Sequence, residues 1–455
     1  TAPYVIAEVN NSDINYLMKQ QNVSNIDISE HNYEPCSLDT TANTIRARTI
    51  QNNGLYGYTG YGINIGMIES RGYPDTNVES LKNCNITKYT NSPTTSHATE
   101  VAEILVGKGS TQVGRGIAPD ANLFCGATIT TDLENILNWF VDECYIDVVN
   151  LSMGTSQYEL NEYSILSSIL DYYSTVYRIT VVCAADNEGI NGVNSLAMSY
   201  NAITVGNLYT NSSNTANDDY LNFSSSYYNC LLPQNLPSKP DLVAPGSPVS
   251  LEYGSVTGTS YAAPHVAGAI ALFGEQDMLL LVCPSAIKAL LAAGVYQNSF
   301  CFVPNERILT TNSNEIPLSY IQYGAGLINC VRNSTIINNQ NYDFSTLYAD
   351  STYIDFNITC NANQNVRVAL AYEKNVNTVS IGDALFYDTS SSIDNLNLMI
   401  YDANMNLVGS SETTYNNLEI VDFIPSTSGN YTIRIIRGIS QLNSDVRFGI
   451  AWIQG

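Results

Sequence analysis

The chain has 455 residues, more than one ordinary core accommodates and suited to a large domain with a smaller appendage. Charged residues make up only 13% of it, and the 42 acidic against 18 basic side chains give a net charge of -24. That charge repels phosphate backbones and anionic headgroups, which argues against nucleic acid and membrane partners.

In chain order, residues 1–42 read as a small arm or propeptide remnant, with a strand-like YVIAEV, a polar helix-like NSDINYLMKQQ and an extended VSNIDIS. The opening TAPYVIAEVN lacks a signal peptide's charged and apolar regions, so export either preceded formation of this chain end or the leader is absent from it. No stretch approaches the roughly 18 apolar residues of a membrane span. From 61 to about 290, strand-length apolar runs alternate with amphipathic helices, the order that builds a parallel sheet covered on both faces. The strands predicted are INIGMI (63–68), NLFCGATI (122–129), DVVNLSM (147–153), ITVVCAA (179–185) and NAITVGNL (201–208). Leu133, Ile136, Leu137 and Phe140 mark one helix face, and Ile165, Leu166, Ile169 and Leu170 another. Beyond about 345 the pattern changes to period-two alternation in NVRVALAY, LNLMIYD, LEIVDFI, YTIRIIR and VRFGIAWI, which predicts an all-β sandwich over 345–455. The middle segment, 43–344, is then an α/β domain.

The ten cysteines occur singly, without a zinc-type spacing. Cys125 and Cys183 sit in apolar runs and read as buried, whereas Cys36, Cys84, Cys230, Cys301, Cys330 and Cys360 lie in polar contexts and are available for pairing in an oxidising compartment.

With three histidines, the search for a general base is short. His31 lies in the polar arm, and His265 follows Pro264 inside an apolar helix, where a packed, hydrogen-bonded role fits best. His97 opens SHATEVAEILVG, whose Ala98, Val101, Ala102 and Leu105 share one helical face, placing the imidazole at the N-terminal edge of a buried helix. Upstream, INIGMI runs into Glu69, a carboxylate at the end of an apolar strand, where open α/β sheets build their sites. Downstream, GSVTGTSYAAPHVAG (254–268) places Ser260 after a Gly-Thr turn at the head of a run of small residues. Gly258 and Thr259 permit a tight turn, so that the hydroxyl meets a helix N-terminus, and Pro264 is expected in the first helical turn, where no N–H partner is lost. The order acid, histidine, serine is one in which hydrolytic triads occur.

These segments together resemble the subtilisin-like serine proteases, the subtilases, over roughly 43–340. GYGINIGMIES resembles the strand ending in the triad acid, SHATEVA the histidine motif, VVNLSMG a substrate-binding strand, VVCAADNEG the oxyanion segment, KPDLVAPG a loop of the family, and GTSYAAPHVAG the nucleophile motif. The resemblance implies a subtilisin-like sheet and a serine endopeptidase with Ser260 as nucleophile, His97 as base, Glu69 as orienting acid and Asn187 as oxyanion donor. It further implies that Ser152, Met153 and Gly154, with Ala184, Ala185 and Asp186, wall the pocket beside the scissile bond. A serine hydroxyl needs a base to take its proton, and the imidazole needs a carboxylate on its other nitrogen, so these residue types suit that chemistry.

The chain departs from the family pattern at three places. The acid is Glu69 instead of Asp, the histidine is followed by Ala98, Glu100 and Glu103, and the glycine that precedes the oxyanion asparagine is Asp186. Asp186 implies a preference for Lys or Arg, or a narrowed pocket, if it faces substrate; alternatively it caps a turn. The competing readings are an inactive subtilase-like scaffold that binds a protein partner, or an adhesin whose sandwich is the active part. The sandwich, through NLNLMIYDANMNLVGSSE and TSGNYTIRI, resembles the jelly-roll appendage of some subtilases and implies packing that stabilises the catalytic domain. The chemistry requires no cofactor; structural calcium is an expectation, with Asp75, Asp383, Asp388 and Asp394 as acidic candidates. The expected protein is a secreted or cell-surface monomer acting on protein or peptide substrates.

Overall fold

The apolar runs of the first half become the strands of one parallel sheet. The computed structural model describes residues 37–52, 57–70, 72–90, 93–110, 113–128, 133–154, 160–210, 219–228, 236–296, 322–381, 384–439 and 444–455. The sheet holds β1 (Asn64–Ser70), β2 (Ile86–Lys88), β3 (Asn122–Thr128), β4 (Val148–Leu151), β5 (Thr180–Ala184), β6 (Ile203–Tyr209), β7 (Tyr220–Leu221) and β8 (Leu242–Ser247). Its order is β2-β3-β1-β4-β5-β6-β7, with β8 also on β6, and every pair is parallel except β6–β7. Alternate residues of one strand enter two different cores: Val182 and Ala184 of β5 belong to one, Val181 and Cys183 to the other. Both faces are therefore dry, which is why the strands read as continuous apolar runs.

Eight helices accompany the strands among the described residues: α1 (Leu38–Thr44), α2 (Ala47–Gln51), α3 (Ser96–Val106), α4 (Leu133–Trp139), α5 (Ile165–Tyr177), α6 (Thr259–Gln276), α7 (Pro284–Ala293) and α8 (Cys330–Asn338). Helices α3 and α6 fill the first core, α4 and α5 the second. The predicted face of α4 is buried, and of the predicted face of α5 Ile169 and Leu170 are buried whereas Ile165 is 46% exposed. Residues 38–42, assigned above to the arm, lie in α1, whose Leu38 and Ala42 are buried in the first core. The arm's predicted strand and first helix, together with His31, lie outside the described residues.

A short hairpin, β9 (Val249–Leu251) with β10 (Gly254–Val256), precedes α6. The C-terminal part comprises β11 (Tyr342–Leu347), β12 (Tyr353–Cys360), β13 (Val366–Tyr372), β14 (Thr378–Ile381), β15 (Ala384–Tyr387), β16 (Leu396–Tyr401), β17 (Leu407–Ser411), β18 (Leu418–Phe423), β19 (Gly429–Arg437) and β20 (Val446–Gln454). Two four-stranded sheets, β11-β20-β13-β18 and β12-β19-β16-β17, enclose a common core; the first strand of these sheets begins at Tyr342. The outer face of the first sheet rests on α7, where Gly449 lies so close to Ala286 that a Cβ on the glycine would come within 2.2 Å of its Cα.

Cys84, Cys330 and Cys360, candidates for pairing above, carry free thiols, and Cys125 and Cys183 are buried as predicted. Cys36, Cys230 and Cys301 lie outside the described residues. No helix among the described residues is long and apolar enough to cross a membrane.

Candidate active site

Glu69 is the sixth residue of β1, which lies between β3 and β4 near the middle of the sheet, so its carboxylate emerges at the C-terminal strand edge. It is 1% exposed, and its Oε2 accepts a hydrogen bond of 2.7 Å from Nδ1 of His97. A carboxylate without a proton can only accept, so the imidazole carries its hydrogen on Nδ1 and keeps Nε2 as the free base. The longer side chain thus reaches the position a triad acid must hold. The other oxygen, Oε1, is buried without a hydrogen-bond partner. Burial pushes the Glu69 carboxyl upward, and the bond to His97 only partly offsets this. Burial alone would lower His97; the hydrogen bond and charge of Glu69 outweigh it and hold the imidazole above its usual value.

His97 occupies the first turn of α3, which Thr95 caps by accepting the Ala98 N–H at 3.2 Å. Ala98, Val101, Ala102 and Leu105 are buried as the periodicity predicts, while the His97 side chain stays 38% exposed. Of the other histidines, His265 is buried in α6, donating from Nδ1 to the Tyr261 carbonyl at 2.8 Å with Nε2 at 2.8 Å from Thr41 Oγ1. Burial lowers it to about 4, so it stays neutral. Asp75, another acid upstream of His97, spends its carboxylate on Asn77 and Tyr253.

Ser260 is the second residue of α6 and is partly exposed. Gly258 before it takes φ 155° and ψ 161°, a backbone reserved for glycine, and donates its N–H to the Gly246 carbonyl at 3.0 Å. Pro264 falls in the second helical turn, a correction to its expected place: the helix starts at Thr259, so the proline removes the N–H that would bond the Ser260 carbonyl. Ser152 supplies the replacement. Its hydroxyl donates to the Ser260 carbonyl at 2.7 Å and is itself met by Asn150 Nδ2 at 2.9 Å. The Ser260 hydroxyl makes no hydrogen bond among the described residues. Its link to His97 runs through the next residue, Tyr261, whose ring lies 5.4 Å from the imidazole. Catalytic hydrogen bonds in unliganded enzymes are often long and close only with substrate.

Asn187 follows β5 and is exposed, with Oδ1 accepting the Thr259 N–H at 2.9 Å. This contact fixes the amide so that Nδ2 is its uncommitted donor. Asp186 has φ 94°, and its Oδ1 accepts the Asn187 N–H at 2.8 Å, the turn-capping role. Its Oδ2 lies against Gly154, where an added Cβ would stand 2.8 Å away, so the carboxylate also reaches the opposite wall. Burial raises this carboxyl. Met153, Ala184 and Ala185 are buried.

Two residues whose role the sequence does not reveal complete the site. Glu100, 6% exposed, accepts the Tyr261 hydroxyl at 2.8 Å. Glu100 lies three residues after His97 on one helix and Tyr261 directly follows the nucleophile, so spacing and adjacency are the signals that identify them. The acidic calcium candidates do not converge: Asp75 binds Asn77, Asp388 caps Ser390, and Asp394 pairs with Arg437 and Ser444. Asp383 lies outside the described residues. No group of three or more His, Cys, Asp or Glu among the described residues forms a metal cage.

A parallel sheet of this order, flanked by helices and carrying the Glu69–His97 pair at its C-terminal strand edge, is a subtilisin-like fold. The subtilase family model matches residues 22–314, and the chain belongs to that family. Subtilisin E of Bacillus subtilis is 28% identical over 235 residues, 48% of this chain and 56% of the relative. The major intracellular serine protease of the same organism is 30% identical over 195 residues, 40% and 56% of the two chains. Serine protease AprX, also from Bacillus subtilis, is 27% identical over 304 residues, 56% and 66%. The chain thus spans little more than half the length of the first of these relatives. Among solved structures, the patellamide maturation protease PatA is similar at 18% identity and a TM-score of 0.46, covering 61% of this chain and 98% of its own.

Proposed function

We propose that the protein is a serine endopeptidase that hydrolyses peptide bonds through an acyl-enzyme on Ser260. The observation that carries this reading is the 2.7 Å bond from His97 to the buried Glu69, made beside the residue that follows Ser260. Nε2 of His97 takes the Ser260 proton as Oγ attacks the substrate carbonyl, and the Glu69 carboxylate steadies the resulting imidazolium. The Nδ2 of Asn187 and the N-terminus of α6 meet the negative charge on the carbonyl oxygen. Collapse expels the amine, which leaves with the proton from His97. Water, activated by the same base, then releases the acyl group. Removal of an oxyanion donor such as Asn187 costs about 2.7–4 kcal/mol in the barrier.

The substrates in this reading are proteins or peptides met outside the cell, and the sparsely charged surface suits that setting. The free thiols of the described cysteines lend it no disulfide support. The two antiparallel sheets serve to cover the catalytic half through α7. A fluorophosphonate probe tests the assignment: the protein should be labelled at Ser260, and Ser260→Ala should not react. Labelling at another residue, or none, refutes it.

A further inference from the structure

Glu100 is an expensive residue where it stands. It is almost fully buried, its one described hydrogen bond comes from a neutral phenol, and a neutral side chain of the same shape would be easier to bury. Tyr261, 8% exposed, brings that phenol from the nucleophile helix α6 to the base helix α3. Its ring stands tilted 51° to the imidazole.

We propose that Glu100 and Tyr261 form a positioning pair for His97, the ring confining the imidazole beside Ser260 and the carboxylate adding a second negative charge that favours the imidazolium. The proposal rests on the endopeptidase reading above. The groups facing the imidazole are Glu69 from β1, Glu100 from its own helix and Tyr261 from α6. Farther out, Cys125 on β3 faces Glu69, and Glu103 on α3 faces Ser80 and the Glu252 N–H. Glu100's charge acts on both members of the His97–Glu69 pair, raising each. The pair as a whole therefore holds its proton more tightly, and His97 becomes a stronger base. Because Tyr261 is adjacent to Ser260 in sequence, the same contact fixes the separation of the two helices that must meet in the reaction. Neither residue touches the reacting atoms.

The test is the pH dependence of the fluorophosphonate labelling rate of the full chain, which reports the base without requiring a known substrate. Glu100→Gln keeps an oxygen for the Tyr261 hydroxyl and removes only the charge. Its acid limb should move to lower pH by about half a unit or more, less than the 1–3 units of a charge in direct contact. Tyr261→Phe keeps the ring and removes the hydrogen bond that holds the Glu100 carboxylate in place near the imidazole, so its limb should move the same way. The double variant should match Glu100→Gln alone. A limb coinciding with wild type in Glu100→Gln, or in Tyr261→Phe should the first variant not fold, overturns the proposal while leaving Ser260 labelling, and the endopeptidase reading, intact. Absence of labelling in wild type instead removes the reading on which the pair depends.

Discussion

Glu69→Gln separates the catalytic role of the acid from its structural one. Oε2 makes the carboxylate's single described hydrogen bond and Oε1 has no partner, so no neighbour decides which way a glutamine amide would turn. With its nitrogen toward Nδ1, the amide donates, the imidazole hydrogen moves to Nε2, and the base is lost. The charge that stabilises the imidazolium also disappears. The expected fall in kcat is about 10⁴-fold, about 5.5 kcal/mol, with KM little changed. Stability should move the other way. The Glu69 carboxyl is raised by burial in the fold, so its favourable contribution is full below the unfolded value and is lost as pH rises through the folded one. Glutamine lacks that loss, and its Tm relative to wild type should become more favourable as pH rises above the ordinary carboxylate range. Glu69→Asp, the residue usual in the family, retracts the carboxylate by about 1.5 Å, turning 2.7 Å into about 4 Å, and should slow kcat roughly 10²-fold. Steady-state kinetics with thermal melts decide the matter. A rate within tenfold of wild type in Glu69→Gln refutes the assignment, because another group would then be orienting His97.

Ser152→Ala leaves the Ser260 carbonyl without a donor and should destabilise by about 1–3 kcal/mol. Adding Pro264→Ala restores a helical N–H to that carbonyl, so urea midpoints should show the double variant recovering part of the loss. Asp241→Asn removes the anion shared at 2.8 Å by buried Lys239 and Lys288 and should cost about 3–5 kcal/mol, with labelling of Ser260 unchanged well below the denaturation midpoint. Burial pushes Glu103 and Glu373 up to about 7 and Glu419 up to about 8. Their favourable contribution is full below about 4.5 and is lost through 7–8, so Tm measured by calorimetry should fall between pH 5 and 8; a Tm that rises there contradicts these burials.

The strands of the parallel sheet are legible because burial on both faces makes them continuous apolar runs, as in β5 and β6. Strands lacking that signature escape: β2 has three residues and sits at the sheet edge, and β8 contains a proline and a glycine. Polar β12 is exposed at alternate residues, with Ile354, Phe356, Ile358 and Cys360 on the inner face, and so carries the period-two signal although it is not among the strands predicted. The triad residues stand out because each lies at an element end, after an apolar strand or before a small-residue helix. The contacts that support them are not legible in the same way. Ser152 meets Ser260 across 108 positions and Tyr261 meets Glu100 across 161, and no local pattern encodes either pairing.

The C-terminal sheets show how far the two halves depend on one another. Every residue of β13 is buried, although a sandwich strand ordinarily alternates, because its two faces serve different cores. Val366, Val368, Leu370 and Tyr372 face the sandwich interior, whereas Ala369 and Ala371 join the core of the catalytic half. On that side Arg367 is paired with Asp422 by two hydrogen bonds of 2.7 Å, both side chains withdrawn from water. Helix α7 is buried along its whole length against this surface. Removal of 345–455 would therefore uncover an apolar helix and break contacts that hold Tyr200 and Asn201, just before β6, to Asn417 and Lys374. Loss of proteolysis in such a truncation would report a damaged fold, and by itself gives no ground for assigning substrate or surface binding to the sandwich.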